Sequence, residues 1–352
     1  MLNLKIFITG GLGFIGSNYI LNKINDNSVK ILNYDKITYA ANPQNLLSIE
    51  SNPNYYFVKG DICDTFKLSE AINDFQPNII INFAAESHVD RSIDSPMDFI
   101  QTNVVGTVNL LETSTNYYNK LNDKDGFAFL HISTDEVFGE LGESGSFRES
   151  TPYNPRSPYS ASKASSDHFV RAWTKTFGLP AMISNCSNNF GPFQFPEKLI
   201  PLMIIKCIDR DSLPVYGNGE NIRDWIYVRD HCNAIDSILE KGSIGETYLI
   251  GSNNEIQNID IVRMICEYFN KSDINEDNFD YLSLIKFVDD RPGHDFRYAI
   301  DNLKIKDKLG WRAQHSFHGA LSDTIRWYID NEEWYRSILK NKNIERLGSI
   351  NR

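Results

Sequence analysis

The chain contains 352 residues, 41% of them hydrophobic and 23% charged, which excludes a disordered or fibrous protein. Its net charge of −11 argues against broad nucleic-acid binding, which requires a basic surface, although a few arginines can still hold a small anion. The five cysteines are scattered and include no Cys-x-x-Cys pair, so we expect reduced cysteines and a cytoplasmic protein. The N-terminus reads as a strand instead of a signal peptide, and the apolar runs are shorter than the ~20 residues of a membrane span.

The first half of the chain alternates strand and helix patterns. Short apolar runs predict strands, and apolar residues at helical spacing predict helices between them. The predicted strands are 4–9, 29–34, 55–58, 79–83 and 127–133, and the predicted helices are 14–24, 64–75 and 96–118. The last helix is predicted to begin at Ser95-Pro96 and to place one apolar stripe on a single face: Ile100, Val104, Val108 and Leu111. This succession predicts an α/β fold with a Rossmann-type, doubly wound parallel sheet that binds ligands at the carboxyl ends of its strands.

The second half of the chain mixes strand and helix signals. We expect a first domain over residues 1–187 and a smaller α+β domain over 188–352. The boundary is predicted to be discontinuous, because elements near 225–253 look as if they return to the large sheet.

A glycine motif lies between the first predicted strand and the first helix. Its glycines are Gly10, Gly11, Gly13 and Gly16. Glycine allows the backbone to approach a diphosphate at a helix N-terminus, so the motif predicts a dinucleotide site. Asp35 ends the next strand, where a carboxylate would bind the adenosine ribose and repel a 2′-phosphate, which favours NAD over NADP. The alternative is a tight turn with an ordinary strand-end aspartate. Asp61 and Ile62, after the third strand, are the predicted adenine contacts.

A Tyr-x-x-x-Lys pattern places Tyr159 and Lys163 on one face of a helix. A tyrosine with a pKa of ~10 is a poor base at neutral pH. A lysine cation and a nicotinamide cation would both favour the phenolate, so we expect the pKa of Tyr159 to fall. Such a phenolate could remove a sugar hydroxyl proton while hydride leaves the same carbon. The pattern alone is more often a surface pair, but the upstream glycine motif favours the catalytic interpretation.

Two adjacent carboxylates follow the fifth predicted strand, in the segment Thr134-Asp135-Glu136. Burial and mutual repulsion can raise the pKa of one of them, which leaves one acid and one base. Such a pair suits the removal of water, in which one group takes a carbon-bound proton and the other protonates a departing hydroxyl. The alternative is a solvated turn, which is the preferred interpretation of an isolated Asp-Glu pair.

Further motifs extend over most of the chain and identify a resemblance. They are 84–92 (AAESHVDRS), 133–136 (STDE), 157–167 (SPYSASKASSD), 185–192 (NCSNNFGP), 195–201 (FPEKLIP), 222–225 (IRDW) and 290–295 (DRPGHD). From Lys5 to about Trp334 the chain resembles the extended short-chain dehydrogenase/reductase superfamily and, within it, the nucleotide-sugar 4,6-dehydratases. The Thr-Asp-Glu motif is specific to the dehydratases, and epimerases of the superfamily have other residues there.

The resemblance implies an NAD-dependent hydro-lyase whose substrate is dTDP-glucose and whose product is dTDP-4-keto-6-deoxyglucose. It implies that Tyr159, with Lys163 and Thr134, removes the 4-hydroxyl proton as hydride passes from C4 to NAD. Glu136 would then remove the C5 proton while Asp135 protonates the departing C6 hydroxyl, and hydride would return to C6. The first domain would bind NAD and the second the sugar nucleotide, in deoxysugar (for example rhamnose) biosynthesis.

The same resemblance implies two sets of binding residues and no metal. Besides the glycines, Tyr159 and Lys163, the cofactor set is Phe14, Ile15, Asp35, Lys36, Asp61, Ile62, Ala84, Ala85, Glu86, Ser87, His88, Thr102 and Asn189. Besides the catalytic Thr134, Asp135 and Glu136, the substrate set is Ser87, Asn188, Lys198, Leu199, Pro214, Val215, Tyr216, Arg223, Asn258, Asp290, Arg291, Pro292, Gly293 and His294. Arg223 and Arg291 offer forked donors that suit a diphosphate, and Tyr216 offers an aromatic face near thymine or ribose.

Helices near 96–118 and 158–177 resemble those that join two subunits as a four-helix bundle, so we expect a homodimer. The stretch 138–153 looks shorter than in several relatives, which should alter a rim loop and leave the chemistry unchanged. Two alternatives remain. One is a related NAD-dependent sugar-nucleotide epimerase or decarboxylase, and the other is a nonenzymatic NAD-sensing or scaffold protein.

Overall fold

A parallel sheet of seven strands forms the centre of the molecule. The computed structural model describes residues 4–290 and 293–341. Its strands are β1 Leu4–Thr9, β2 Val29–Asp35, β3 Tyr55–Lys59, β4 Ile79–Asn82, β5 Ala128–Thr134, β6 Ala181–Cys186, β7 Asn188–Phe190, β8 Leu213–Tyr216, β9 Ile222–Tyr227, β10 Thr247–Ile250, β11 Glu255–Gln257 and β12 Ile285–Val288. The large sheet has the order β10-β6-β5-β4-β1-β2-β3, and every pairing in it is parallel. The chain leaves β1 in one direction and returns to β4 on the other side, so a crevice opens at the carboxyl ends of these two strands. The predicted doubly wound sheet is therefore confirmed.

Helices cover both faces of this sheet. They are α1 Phe14–Lys23, α2 Thr65–Phe75, α3 Val89–Asp94, α4 Pro96–Phe99, α5 Thr107–Lys120, α6 Pro158–Phe177, α7 Leu199–Asp209, α8 Val228–Lys241, α9 Asn258–Lys271, α10 Leu303–Leu309, α11 Phe317–Asp330 and α12 Glu332–Asn341. The large sheet has one hydrophobic core on each face, and successive side chains of β1 point into opposite cores. Ile6 and Ile8 pack with α1 and α8, whereas Phe7 packs with α2 and α5. A strand that is covered on both faces is apolar at successive positions, which explains the continuous apolar runs of the sequence.

The later part of the chain builds a smaller layer over the carboxyl ends of the strands. It contains a three-stranded sheet of order β11-β9-β7 and the parallel pair β12-β8. The strand β10 leaves this layer and pairs with β6 in the large sheet, and α8 packs against α1. Residues 225–227 differ from the expectation, because they lie in β9 of the small sheet and not in the large one. The division into domains at residue 187 stays a prediction.

The helix predicted over 96–118 is interrupted. It consists of α4, a π-helical segment Ile100–Gly106 and α5, and Ser95 makes no side-chain cap hydrogen bond. A π turn holds more residues than an α turn, so the segment rotates the following residues relative to a regular helix. Consequently the predicted stripe is wrong in part: Leu111 is buried, but Ile100 is 44% exposed. Asn103 and Gly106 occupy the buried side instead, and a Cβ on Gly106 would lie 2.6 Å from Ile62.

Candidate active site

The glycine turn brings the backbone of β1 against the end of β4. Gly10 has φ +71°, and a Cβ there would lie 2.7 Å from the Ala84 main chain. Helix α1 begins at Phe14, and its N-cap residue Gly13 provides no side-chain hydrogen bond. The first turn of α1 therefore presents main-chain N–H groups and a positive helix end at the crevice, which suits a diphosphate.

A carboxylate and an ion pair lie at the ends of the next two strands. Asp35 is buried, and its oxygens accept hydrogen bonds from the main-chain nitrogens of Leu12 at 2.9 Å and Ile37 at 2.7 Å. Burial raises the pKa of Asp35, and these two hydrogen bonds oppose that effect. Lys36 Nζ lies 2.6 Å from Asp61 Oδ2. Burial raises the pKa of Asp61, but hydrogen bonds led by that of Lys36 outweigh burial and the pKa is lowered. These groups fit the ribose and base of a dinucleotide that has no 2′-phosphate.

The Thr134-Asp135-Glu136 segment turns sharply as β5 ends. Thr134 caps a short 3₁₀ turn, Asp135–Phe138, and its Oγ1 accepts a hydrogen bond from Glu136 N at 3.2 Å. The same hydroxyl lies 3.2 Å from Asp135 Oδ1. Burial, followed by the charge of Glu136, raises the pKa of Asp135 well above its ordinary value. Both effects favour the protonated form of Asp135 beside a second carboxyl group, as the sequence predicts for one of the pair.

Tyr159 and Lys163 lie in the first two turns of α6. The helix begins with a capping box between Ser157 and Ser160, which fixes its N-terminus next to the end of β5. Tyr159 is 8% exposed, and Lys163 Nζ donates a hydrogen bond to the Ile132 carbonyl at 2.8 Å. Burial lowers the pKa of Lys163 to about 8.

The expected fall in the pKa of Tyr159 is not produced by the protein's own groups. Burial raises this pKa well above its ordinary value, and the charges of Glu136 and Asp135 raise it further. The hydrogen bond with Thr134 lowers it, but by less. The prediction considered the two cations and omitted burial and the neighbouring acids, which act in the opposite direction.

One cavity of about 300 Å³ brings most of the predicted residues together. It is lined by Gly10, Gly13, Phe14, Ile15, Gly16, Asp35, Lys36, Asp61, Ile62, Ala84, Ala85, Glu86, Ser87, Thr102, Thr134, Asp135, Glu136, Tyr159, Lys163, Asn188, Asn189 and Lys198. Gly11 lies behind the cavity wall, where its nitrogen donates to Asn33 Oδ1 at 3.1 Å. His88 caps α3 and lies 3.6 Å from Glu197, and Leu199 begins α7 directly after Lys198. The roles assigned to individual residues stay predictions.

The remaining predicted substrate residues lie outside this lining. The rings of Tyr216 and His294 pack edge to face, and His294 Nδ1 lies 2.7 Å from Asp290 Oδ1. Gly293 directly precedes His294 in the chain. Pro214 lies in β8, and Asn258 begins α9. Arg291 and Pro292 fall outside the described residues.

Two of these residues differ from the expectation. The Val215 side chain is 2% exposed and packs in the core, so only its main chain could reach a ligand. Arg223 donates to the carbonyls of Ile222, Asp295 and Phe296 and lies 4.2 Å from the centre of the Tyr298 ring. The Arg223 guanidinium, which was expected to bind a diphosphate, therefore donates to main-chain carbonyls in this structure.

Several cavity residues were not predicted. They are Tyr34, Thr38, Ala40, Ala41, Gly60, Phe83, Ile132, Ser133, Cys186, Ser187, Gln194, Phe195 and Glu197. Many of them adjoin predicted residues at the carboxyl end of a strand, which is the signal that could have found them. Within the described ranges, no helix is both long and apolar enough to cross a bilayer.

Comparisons with known proteins agree with this geometry. The model of the family described as GDP-mannose 4,6 dehydratase matches residues 7–324. A dTDP-glucose 4,6-dehydratase of Xanthomonas campestris pv. campestris (strain B100) is 51% identical over 345 residues, which are 97% of this chain and 98% of that protein. The crystal structure of dTDP-glucose 4,6-dehydratase from Bacillus anthracis in complex with NAD has a TM-score of 0.85 at 43% identity and covers 95% of this chain and 99% of that one. The corresponding Streptomyces venezuelae enzyme with NAD and TYD bound has a TM-score of 0.87 at 39% identity, covering 95% and 100%. The chain belongs to the GDP-mannose 4,6 dehydratase family of NAD-binding Rossmann-fold enzymes.

Proposed function

We propose that this protein is an NAD-dependent dTDP-glucose 4,6-dehydratase, which converts dTDP-glucose to dTDP-4-keto-6-deoxyglucose and water. The observation that carries the proposal is the position of the buried Asp135 beside Glu136 in the same cavity as Tyr159 and Lys163. An epimerase has no use for two adjacent carboxyl groups at this place. The names of relatives that are about half identical over nearly the whole chain support the same substrate.

The cavity lining supports a site for NAD next to a site for the sugar of the nucleotide substrate. The uncapped N-terminus of α1 would hold the NAD diphosphate, and Asp35 and Asp61 would hold its adenosine. Asn188 and Lys198, which line the same cavity, would contact the sugar nucleotide. When bound, NAD supplies the acceptor for the C4 hydride and the donor that returns hydride to C6.

The residues of the chain carry the protons of the reaction. Tyr159 accepts the proton of the sugar 4-hydroxyl, and Thr134, within hydrogen-bonding reach of it, stabilises the phenolate. The resulting 4-ketone acidifies the hydrogen on C5. Glu136 removes that proton while Asp135 gives its own proton to the C6 hydroxyl, which leaves as water. Burial serves this step because it raises the pKa of Asp135 and so favours the protonated form that an acid requires. When hydride returns to C6, C5 is reprotonated, which completes the 4-keto-6-deoxy product.

Product analysis by NMR tests the function. The purified protein with dTDP-glucose and no added NAD should yield a sugar with a C6 methyl group and a C4 ketone, because the cofactor is regenerated in each cycle. A C4 epimer as the product would instead support an epimerase. NAD binding without turnover of any sugar nucleotide would support an NAD-sensing protein.

We also propose a homodimer built on α4, α5 and α6. Large apolar side chains of these helices and the π segment remain exposed in the single chain: Met97 (68%), Ile100 (44%), Val105 (39%), Phe169 (37%) and Phe177 (52%). A second copy that packs as a four-helix bundle would cover such a surface. Light scattering should give twice the mass of the 40.3 kDa chain, and a monomer at working concentration would refute the dimer.

The remaining assignments follow from the proposed reaction. Residues 1–187 would bind NAD, and 188–352 would bind the sugar nucleotide. A 4-keto-6-deoxy sugar nucleotide is the substrate that later steps of deoxysugar synthesis, for example rhamnose synthesis, require. A cytoplasmic location would agree with the five free cysteines.

A further inference from the structure

A buried cluster of ionisable groups extends from the cavity wall at Lys163 into the protein interior. It consists of Lys163, His131 and Asp167, each at most 3% exposed. Asp167 follows Lys163 by one turn of α6. His131 Nε2 lies 3.3 Å from Lys163 Nζ and 3.5 Å from Asp167 Oδ1, so one ring nitrogen contacts both the ammonium and the carboxylate.

His131 is held as a neutral ring. Burial, together with the charge of Lys163, lowers the pKa of His131 well below its ordinary value. On the other side of the ring, Asn82 Nδ2 lies 3.1 Å from Nδ1, and Asn82 Oδ1 accepts a hydrogen bond from the Thr9 hydroxyl at 2.7 Å. The imidazole thus fixes the distance between the two charged groups without contributing a charge.

Asp167 is anchored from outside the cavity. Its Oδ2 accepts hydrogen bonds from the Tyr153 hydroxyl at 2.7 Å and from Asn185 Nδ2 at 3.0 Å. Arg171 in turn donates to the Tyr153 hydroxyl at 2.7 Å. The carboxylate does not line the cavity, so it acts on the reaction only through its neighbours.

We propose that Asp167 is a positioning residue, which acts across the neutral His131 ring to keep Lys163 charged and fixed behind Tyr159. The proposal deepens the proposed dehydratase function and rests on it. Without a carboxylate at this place, burial favours the neutral amine of Lys163, and Tyr159 loses the cation that stabilises its phenolate.

Burial and the neighbouring charges act in opposite directions on Lys163. Burial lowers the pKa of Lys163 to about 8, and Asp167 opposes the decrease more than any other group. The neighbouring elements present His131 and Ser133 from β5, Asn185 and Cys186 from β6, Tyr159 from α6 itself and the Asp135-Glu136 turn. The two acids of this turn raise the pKa of Tyr159. In the proposal, the positive charge of Lys163 opposes them.

The test is a titration of the Tyr159 phenolate in the NAD-bound protein. Tyrosinate absorbance is followed against pH in the wild type and in Asp167→Asn, and the signal of the same protein carrying Tyr159→Phe is subtracted from each. An opposite charge within a few ångströms shifts a pKa by about 1–3 units. We therefore expect the Asp167→Asn midpoint to rise by about one pH unit, which is about a tenfold loss of phenolate at a given pH below the midpoint. The kcat/KM profile should show the same displacement of its acid limb.

Asp74→Asn is the matched control, because it removes one carboxylate from the exposed side of α2 and should leave the midpoint unchanged. An unchanged midpoint in Asp167→Asn that still binds NAD would overturn the proposal, as would a loss of kcat/KM that is uniform across pH. If Asp167→Asn no longer binds NAD, the smaller neutral variant Asp167→Ser decides by the same criterion. A wild type that makes no 4-keto sugar while Asp167→Asn still moves the midpoint would refute the dehydratase function and leave the effect of Asp167 on Tyr159 intact.

Discussion

The two adjacent acids allow the elimination to be tested with a pair of isosteric variants. In Glu136→Gln the base is lost, and we expect C4 oxidation to continue while exchange of the C5 hydrogen with solvent stops. In Asp135→Asn the acid is lost, and water loss should slow while C4 oxidation continues. General acid or base catalysis contributes about 10²–10⁴-fold to a rate, so each variant should lose product formation by that factor.

The structure predicts that the two variants differ in their electrostatic side effects. Burial raises the pKa of Asp135, so its isosteric amide replacement imitates the protonated form that this environment favours. Glu136 raises the pKa values of both Asp135 and Tyr159, so Glu136→Gln should lower both. Deprotonation of the Tyr159 phenol should then become easier, and the first hydride transfer in Glu136→Gln should have its acid limb at lower pH than in the wild type.

The assay separates the steps in a single turnover. NADH absorbance reports oxidation at C4, and mass spectrometry in D₂O reports exchange at C5. Unchanged melting temperatures and NAD content are required of both variants. C5 exchange at the wild-type rate in Glu136→Gln would show that Glu136 is not the base, and normal water loss in Asp135→Asn would show that Asp135 is not the acid.

Three further predictions concern the cofactor site and stability. Gly10→Ala should destabilise the protein by more than about 1 kcal/mol and weaken NAD binding, because both φ +71° and a contact of the new Cβ at 2.7 Å are unfavourable. Gly142→Ala is the control, because a Cβ at Gly142 would have no heavy atom within 4 Å. Equal melting temperatures of the two variants would contradict the argument. Calorimetry should show much tighter binding of NAD than of NADP, because the 2′-phosphate would meet the buried carboxylate of Asp35; similar affinities would refute that role. Burial lowers the pKa of His231 to about 3, whereas the unfolded value is about 6.5. Because the pKa is lower in the folded state, the neutral His231 contributes fully to the free energy of unfolding above the unfolded-state pKa. This contribution decreases as the pH falls from the unfolded-state pKa towards the folded-state pKa. The free energy of unfolding relative to His231→Gln should therefore fall by about 1.4 kcal/mol per pH unit in that window, and a pH-independent difference would contradict it.

The large sheet could be predicted from the sequence because its signals are local. Each strand buried on both faces is an apolar run, and α2 ends where Gln76 adopts a left-handed conformation before Pro77. The π segment was missed because it depends on tertiary packing. Gly106 has to lie close to Ile62, and Asn103 bonds Glu86 and Ser162, and these contacts come from distant parts of the chain.

Cavity residues could be predicted where a sequence motif marks the end of a strand. They could not be predicted where contacts between distant parts of the chain determine the partners or the burial of a side chain. Thr134, Tyr159 and Lys163 meet as their spacing and the superfamily resemblance indicate. Arg223 was expected to donate to a diphosphate, because two of its three carbonyl partners, Asp295 and Phe296, lie more than seventy residues away in the chain and leave no local signal. The environment of Tyr159 was misjudged for the same reason, because burial is a property of the assembled site.

The raised pKa of Tyr159 has a consequence for the order of the reaction. The acids that remove water lie close to the phenol and oppose its ionisation, so Lys163 alone, with its pKa lowered to about 8, supports the phenolate weakly. The positive charge of oxidised nicotinamide would add to that of Lys163 and favour the phenolate at the step that needs a base. After hydride transfer that charge is gone, and Tyr159 would hold its proton while Glu136 and Asp135 carry out the elimination. The carboxyl groups of the Asp135-Glu136 turn would thereby prevent Tyr159 from acting as a base during the elimination step. Tyr159 should accordingly ionise at lower pH with NAD than with NADH bound, and equal midpoints in the two complexes would refute this coupling.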